Sequence, residues 1–255
     1  MSVDLLKEIT QAGLRLFNRN DVISLPKLQC YSQSYSNILL NVLGSKGEIV
    51  SVGKGIYALP VELLSGGPIH PFEIAMKLVK NGAISHRSAM AHYHLTDQII
   101  SEVYVTVPRE KGSNQSRLNH YNLKGVRYNI IRSDQKHYWG VKKVFIGEAF
   151  IWITDLEKTL IDGLKRPELC GGMREVIFGF ENGLDKISPM TLLDYAQRSS
   201  LVICKRLGWI LEKLNEFKDL QDELALISAK SYQRLDPMGK RAGKYNSKWM
   251  IVENL

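Results

Sequence analysis

Asp155, Glu157 and Asp162 are carboxylates of the type that metal-dependent nucleases and nucleotidyltransferases use. Two-metal catalysis needs carboxylates that converge on ions about 3.5–4 Å apart. A helix that begins after Asp155 explains the same residues structurally: Asp155 becomes the N-cap and Glu157 a first-turn acid favoured by the helix dipole. Lys158 and Asp162 would then form a surface pair at i and i+4. This interpretation is favoured, so we expect no enzyme and keep a metal-dependent nuclease or transferase as an alternative.

Three histidines, His86, His92 and His94, resemble metal ligands by type. On one helix they would not converge as the i,i+4 pair of a zinc site does, so we expect them in the core or in polar networks. Ser85 can cap that helix, and Arg87 beside it could either hold a phosphate or serve packing. The sequence has no Walker, dinucleotide-binding or nucleophile-elbow motif, so we expect no metal and no cofactor.

Positive charge is concentrated in one stretch of this 255-residue chain. The chain has 34 Lys+Arg and 26 Asp+Glu, a formal net charge of +8, and residues 111–143 carry +7 of it, with Tyr121, Tyr128, Tyr138 and Trp139 interleaved. Such a stretch is typical either of a nucleic-acid contact surface, with rings that stack on bases, or of a solvated sheet face or mobile loop. The residues of this possible second basic surface, with Arg87 added, are Arg87, Arg117, Lys124, Arg127, Arg132, Lys142 and Lys143.

The composition is that of a globular protein, with 44% hydrophobic and 24% charged residues. No apolar run is long enough for a membrane span, and the first residues do not resemble an export signal, so we expect no membrane association. Cys30, Cys170 and Cys204 have no paired or metal-type spacing. Free thiols of this kind favour a cytoplasmic protein.

Residues 1–60 predict a winged helix-turn-helix DNA-binding domain. Apolar spacing predicts helices over 3–17 and 25–29 and a third after Ser32, and a hairpin with a Gly-Lys-Gly tip follows. We expect the third helix to bury a stripe of Ile38, Leu39, Val42 and Leu43. Its polar face, which also holds Ser36, would enter the major groove while the hairpin meets the DNA backbone or minor groove. The expected DNA-binding residues are Gln33, Ser34, Tyr35, Asn37 and Lys54. The alternative is a winged helix that binds a partner protein.

The remaining chain predicts an α+β arrangement. Residues 61–70 are rich in Gly and Pro and predict a linker, and residues 71–255 predict a larger mixed α/β domain with a small sheet and a helical block. We expect helices over 71–80 and 86–94, strands over 103–107, 126–131, 142–146 and 149–153, and four helices between 155 and 214. A last strand is expected over 248–252.

Three stretches resemble the AbiEi family of antitoxins and transcriptional regulators from bacterial type IV toxin-antitoxin, or abortive infection, systems. They are GKGIYALP at 53–60, AISHRSAMAHYHLTD at 83–97, and ITDLEKTLID at 153–162 with Arg166-Pro167 and Gly171-Gly172 after it. The resemblance continues through Leu207-Gly208-Trp209 to residues 248–251, in the same order and with similar spacing.

The resemblance implies a repressor that binds inverted repeats in its own promoter through the winged helix. It also implies a C-terminal antitoxin domain that opposes a nucleotidyltransferase-like toxin without forming a stable complex with it. The sequence departs from a usual DNA reader at one point, because the predicted recognition helix has no Arg or Lys, and Arg to guanine is the commonest specific base contact.

Overall fold

The computed structural model is a mixed α+β fold. It describes residues 4–29, 32–64, 66–99, 101–110, 118–227 and 229–255. Within these ranges no helix has both the length and the apolar character needed to cross a membrane.

The first sixty residues form three helices and a small antiparallel sheet. The elements in chain order are α1 (Leu5–Gln11), β1 (Leu16–Asn18), α2 (Arg19–Ile23), α3 (Gln33–Ser45), β2 (Val50–Gly53) and β3 (Ile56–Ala58). Strand β3 lies in the middle, with β1 and β2 antiparallel to it on either side.

The boundaries of the first two helices were predicted wrongly. Leu16 and Phe17, expected at the end of the first helix, belong to β1 and pair with Ala58 and Tyr57 of β3. The second helix is α2, and the predicted range 25–29 lies in turns. Asn18 is the N-cap of α2 and forms a reciprocal capping box with Asp21.

Helix α3 begins as predicted, but its buried face is different. Ser32 caps it, accepting a hydrogen bond from the Tyr35 backbone N–H at 3.2 Å. Ser36, expected on the polar face, is fully buried, whereas Ile38 and Val42, expected in the core, are 57% and 42% exposed. The exposed face of α3 therefore carries two apolar side chains.

The centre of the molecule is a six-stranded mixed sheet with strand order β6-β7-β5-β4-β9-β8. Strand β5 runs parallel to β7 and β4 runs parallel to β9, and the other neighbours are antiparallel. The sequence reading missed β4 and β6. The elements of this part are α4 (Pro71–Leu78), β4 (Ala83–Ile84), α5 (His86–His92), β5 (Glu102–Pro108), β6 (Leu118–Leu123), β7 (Val126–Ser133), β8 (Val141–Ile146) and β9 (Ala149–Thr154).

A helical block follows and ends in a three-stranded sheet of order β10-β12-β11. Its elements are α6 (Leu156–Lys165), α7 (Met173–Gly183), α8 (Pro189–Ser199), α9 (Leu201–Leu214), α10 (Lys218–Leu226), β10 (Gln233–Arg234), β11 (Lys244–Asn246) and β12 (Ile251–Glu253). Short 3-10 turns occupy Val61–Leu63, Gln135–His137, Pro167–Leu169 and Leu184–Lys186. Helix α10 and two of the strands were not predicted, and the expected last strand begins only at Ile251.

The N-terminal elements pack against the large sheet. Leu16, Val52 and Ile56 share one buried cluster with Leu123 and Tyr128. The first sixty residues and the central sheet therefore bury part of their apolar surface against each other, while the division into domains at 61–70 stays a prediction.

Candidate nucleic-acid interface

Two of the predicted DNA-binding residues lie on one groove between α3 and the β2–β3 hairpin. The groove has a volume of about 340 Å³. Asn37 of α3 lies on one side and Lys54 of the hairpin turn on the other. The lining residues are Asn18, Arg19, Asn20, Asn37, Leu40, Lys54, Gly55, Ile56, Tyr57 and Lys77.

The hairpin turn holds Lys54 by backbone geometry. Gly53, Lys54 and Gly55 all have positive φ, at 118°, 55° and 72°, a region that glycine enters freely and lysine rarely. A Cβ at Gly53 would lie 2.7 Å from Leu123 Cδ2, so only glycine allows the turn to pack this closely on β6. The ammonium of Lys54 lies 5.0 Å from the centre of the Tyr121 ring, which fixes the lysine at the edge of the groove.

Two other predicted residues of α3, Ser34 and Tyr35, lie outside the groove. Gln33 is the first residue of the helix. Ser34 is exposed and Tyr35 is half-buried, and neither of these two lines the cavity. The structure therefore brings Asn37 and Lys54 together and leaves Ser34 and Tyr35 apart from them, while the side chain of Gln33 lies outside the described part of the chain.

Two cations on the groove were missed by the sequence reading. Arg19 is the exposed first residue of α2, and Lys77 reaches in from α4 and forms an ion pair with Asp21 at 2.7 Å. The Asn18-x-x-Asp21 spacing is a capping-box signal that would have identified α2 and placed Arg19 at its start.

Three of the four acids in residues 1–60 are engaged away from the groove, whereas the fourth, Asp21, pairs with Lys77 of the groove. Glu8 pairs with Lys27 at 2.6 Å, and Glu48 lies 4.0 Å from Lys46. Asp4 caps α1. Arg19 forms no ion pair within the described ranges. Although residues 1–60 carry only +2, the groove contains more cations than acids.

The predicted second basic surface is divided between the two edges of the large sheet. Lys124 lies in the β6–β7 turn, and Arg127 of β7 lies 3.8 Å from Glu102. Lys142 and Lys143 lie on β8, at the opposite edge. Four strand spacings of about 4.8 Å separate β7 from β8, roughly 19 Å. One contact surface therefore cannot use both groups at close range.

The remaining members of the predicted surface lie in other places. Arg87 of α5 donates a hydrogen bond to Gln98. Arg132 lies near the end of β7, and Arg117 lies outside the described residues.

Exposed aromatic rings accompany the lysines of β8. Phe145 and Phe150 are cross-strand partners with ring centres 5.4 Å apart, and Lys143, paired with Trp152, lies 4.5 Å from the centre of the Phe150 ring. Phe145, Phe150 and Trp152 are all exposed. These residues occupy alternate positions along β8 and β9, and this spacing is the sequence signal that would have indicated a shared exposed face.

The three carboxylates proposed for catalysis are used in structural contacts. Asp155 accepts hydrogen bonds from the Lys158 backbone N–H at 2.7 Å and the Tyr195 hydroxyl at 2.8 Å, and burial raises the pKa of this carboxyl. Glu157 accepts from the Ser188 backbone N–H at 2.7 Å. In the part of the chain that the structure describes, no cluster of three His, Cys, Asp or Glu side chains is arranged to hold a metal ion.

Two local expectations around this segment were wrong. Lys158 and Asp162 do form an ion pair, but it is buried, with the residues 6% and 9% exposed, because α6 packs into the core along most of its circumference. Ser85 precedes α5 without capping it by its side chain. Its hydroxyl instead contacts Thr106 Oγ1 at 2.8 Å and His86 Nδ1 at 2.9 Å.

No protein-family model and no curated protein matches this sequence. Among solved structures, the chain is similar to the crystal structure of the RV2827C protein from Mycobacterium tuberculosis. The TM-score is 0.66 and the sequence identity 13%, over 97% of this chain and 89% of that chain. At this identity the likeness concerns the fold alone.

Proposed function

We propose that this protein is a DNA-binding transcriptional repressor that acts as the antitoxin of a type IV toxin-antitoxin system. The observation that carries the DNA-binding part is the convergence of Asn37, Lys54 and Arg19 on one groove. The order helix, strand, helix, helix, hairpin supports a winged helix-turn-helix. The antitoxin part is supported by the AbiEi-like motifs at 53–60, 83–97 and 153–162.

In this proposal α3 enters the major groove of the promoter. Asn37 is exposed on α3, and an asparagine amide can pair with the N6 and N7 positions of adenine. Ile38 and Val42 are exposed on the same helix, and apolar side chains make contact with thymine methyl groups. Arg19 and Lys54 bind backbone phosphates beside the helix, so the lack of cations on α3 is offset by its neighbours.

Fluorescence anisotropy with a duplex from the upstream region of the gene, containing its inverted repeat, tests the DNA-binding part. We expect Asn37→Ala to reduce preference for this duplex over a random one by about 1–3 kcal/mol. Arg19→Glu should weaken binding to both duplexes and lower the slope of log K against log salt by about one. Lys218→Glu, at the exposed start of α10, is the matched control and should change neither value. A wild-type protein without preference for the inverted repeat would exclude the repressor.

One observation favours a second candidate function, a protein-interaction adaptor. Ile38 and Val42 are one helical turn apart and both exposed, as on a helix that docks into a partner's groove. Ile38→Lys distinguishes the candidates when a partner protein is captured by the wild type. If the protein is an adaptor, the Ile38→Lys variant loses that partner and the wild type shows no preference for the inverted repeat. If it is a repressor, the wild type prefers the inverted repeat over a random duplex.

A further inference from the structure

A second cavity lies between the large sheet and α6, away from the groove of α3. It has a volume of about 140 Å³ and is bounded by the end of β7, the segment that joins β7 to β8, and the face of α6 from Lys158 onward. No residue of the α3 groove lines this second cavity.

His86 is the most unusual residue of this cavity. It is 4% exposed, and its backbone has a left-handed φ of 51°. Residues other than glycine adopt this conformation mainly where the surrounding structure enforces it. Its Nδ1 lies 2.9 Å from Ser85 Oγ, and that oxygen lies 2.8 Å from Thr106 Oγ1. The other ring nitrogen, Nε2, has no hydrogen-bond partner among the described residues, and the ring lines the cavity.

The cavity lining is rich in cations. Arg132, Lys158, Lys165 and Arg166 line it together with only two acids, Asp134 and Asp162. Asp162 is already paired with the buried Lys158, whose ammonium also lies 4.4 Å from the centre of the Trp139 ring. Arg166 lies 2.9 Å from Glu168. Lys165, at the mouth, forms no ion pair within the described ranges, and Asp134 and Asp162 act on its ammonium only from beyond ion-pair distance.

The shape of the cavity selects among anions. A partly open space of this volume between a sheet and a helix admits a small terminal group, whereas a duplex needs an open surface at least as long as a helical turn. Arg and Lys side chains with a nearby N–H donor are the usual partners of phosphate oxygens.

We propose that this cavity binds the terminal phosphate of a small phosphate monoester. Lys165 and Arg166 hold the phosphate oxygens at the mouth. Ser85 donates to His86 Nδ1, which places the imidazole proton on Nε2, and this N–H donates to a phosphate oxygen from the buried side. This binding is independent of DNA binding, because the two cavities share no lining residue.

Isothermal titration calorimetry on the full chain tests the proposal with three probes: inorganic phosphate, adenosine 5′-monophosphate and adenosine. We expect saturable binding of the monophosphate and of phosphate, competition between the two, and no binding of adenosine. Adenosine binding as tightly as its monophosphate would overturn the proposal. So would the absence of heat with both phosphate probes.

Lys165→Gln locates the binding site. Its side chain is exposed, so thermal unfolding without ligand should not change, and the dissociation constant for the monophosphate should rise about tenfold through loss of a charge-assisted contact. Lys218→Gln is the control and should leave the constant unchanged. Equal weakening in both variants, or none in Lys165→Gln, would overturn the assignment. Lys165→Gln should bind the upstream duplex with wild-type affinity in fluorescence anisotropy. Failure of the phosphate proposal can therefore be told apart from failure of the repressor proposal.

Discussion

His86 combines a buried imidazole with a left-handed backbone, and both features affect stability. Burial lowers the pKa of His86 to about 4, against about 6.5 in an unfolded chain. Between these pH values the unfolded chain binds more protons than the folded chain, so stability falls as the solution is acidified through this window. We expect this residue to remove about 3 kcal/mol of the unfolding free energy between pH 7 and pH 4.

His86→Asn tests this prediction in urea titrations at several pH values. Asparagine tolerates a left-handed φ better than most residues and does not titrate, so that share of the pH dependence should disappear. His94→Asn, with a φ of 57° at an exposed position, is the matched control for replacing a left-handed histidine by asparagine. If the free energy of unfolding depends on pH equally in both variants, groups other than His86 cause the acid sensitivity.

Gly208 shows how tightly α9 packs against the end of the chain. A Cβ at this position would lie 2.0 Å from Cζ3 of the buried Trp249, so the indole and the helix cannot both keep their places. We expect Gly208→Ala to lower the free energy of unfolding by about 1–3 kcal/mol.

Gly44→Ala in α3 is the matched control, because nothing lies within 4 Å of its Cβ position. This substitution should stabilise the protein by about 0.5–1 kcal/mol, as expected for a helical glycine. Urea denaturation of both variants provides the comparison, and similar stability changes would contradict the close approach of Trp249.

At the scale of elements, the two edges of the large sheet should behave differently toward DNA. Lys54 lies over Tyr121 of β6, so a duplex in the α3 groove extends toward the β6–β7 edge and away from β8. We expect Arg127→Glu to lower the salt slope of binding by about one and Lys142→Glu to leave it unchanged. Salt titrations followed by anisotropy test this expectation. A lower slope for Lys142→Glu and an unchanged slope for Arg127→Glu would place the DNA at the β8 edge.

Elements with a cap and a clear period were predictable, and elements defined by distant partners were not. Ser32 and Asp155 identified the starts of α3 and α6, where side-chain oxygens accept from the first turn. Strand β6 alternates poorly, with Asn119, His120 and Asn122, because it forms an edge of the sheet. Leu16 and Phe17 fit a helical period, and only pairing with β3 makes them a strand.

The candidate sites followed the same rule. Asn37 and Lys54 were predictable because their types and their turn or helix positions are local features. Lys77 joins the groove through an ion pair with Asp21, 56 positions earlier, which no local pattern indicates. The second cavity joins residues from His86 to Arg166, so its composition depends on the sheet topology.

For the whole molecule, a type IV antitoxin acts without a stable complex with its toxin. We expect size-exclusion chromatography of the full chain mixed with a nucleotidyltransferase-like protein from a neighbouring gene to give two separate peaks. Co-expression of the full chain should still relieve growth inhibition by that protein. A single co-eluting peak would instead indicate inhibition by direct binding.

The packing of the hairpin on the central sheet also limits how the protein can be divided for study. A fragment that ends at residue 70 would expose Leu16, Val52 and Ile56, which the full chain buries together with Leu123 and Tyr128. Such a patch favours self-association, and apparent cooperativity in a DNA titration of that fragment would then measure aggregation. We therefore expect a fragment that keeps this cluster buried to include the central sheet as well as the first sixty residues.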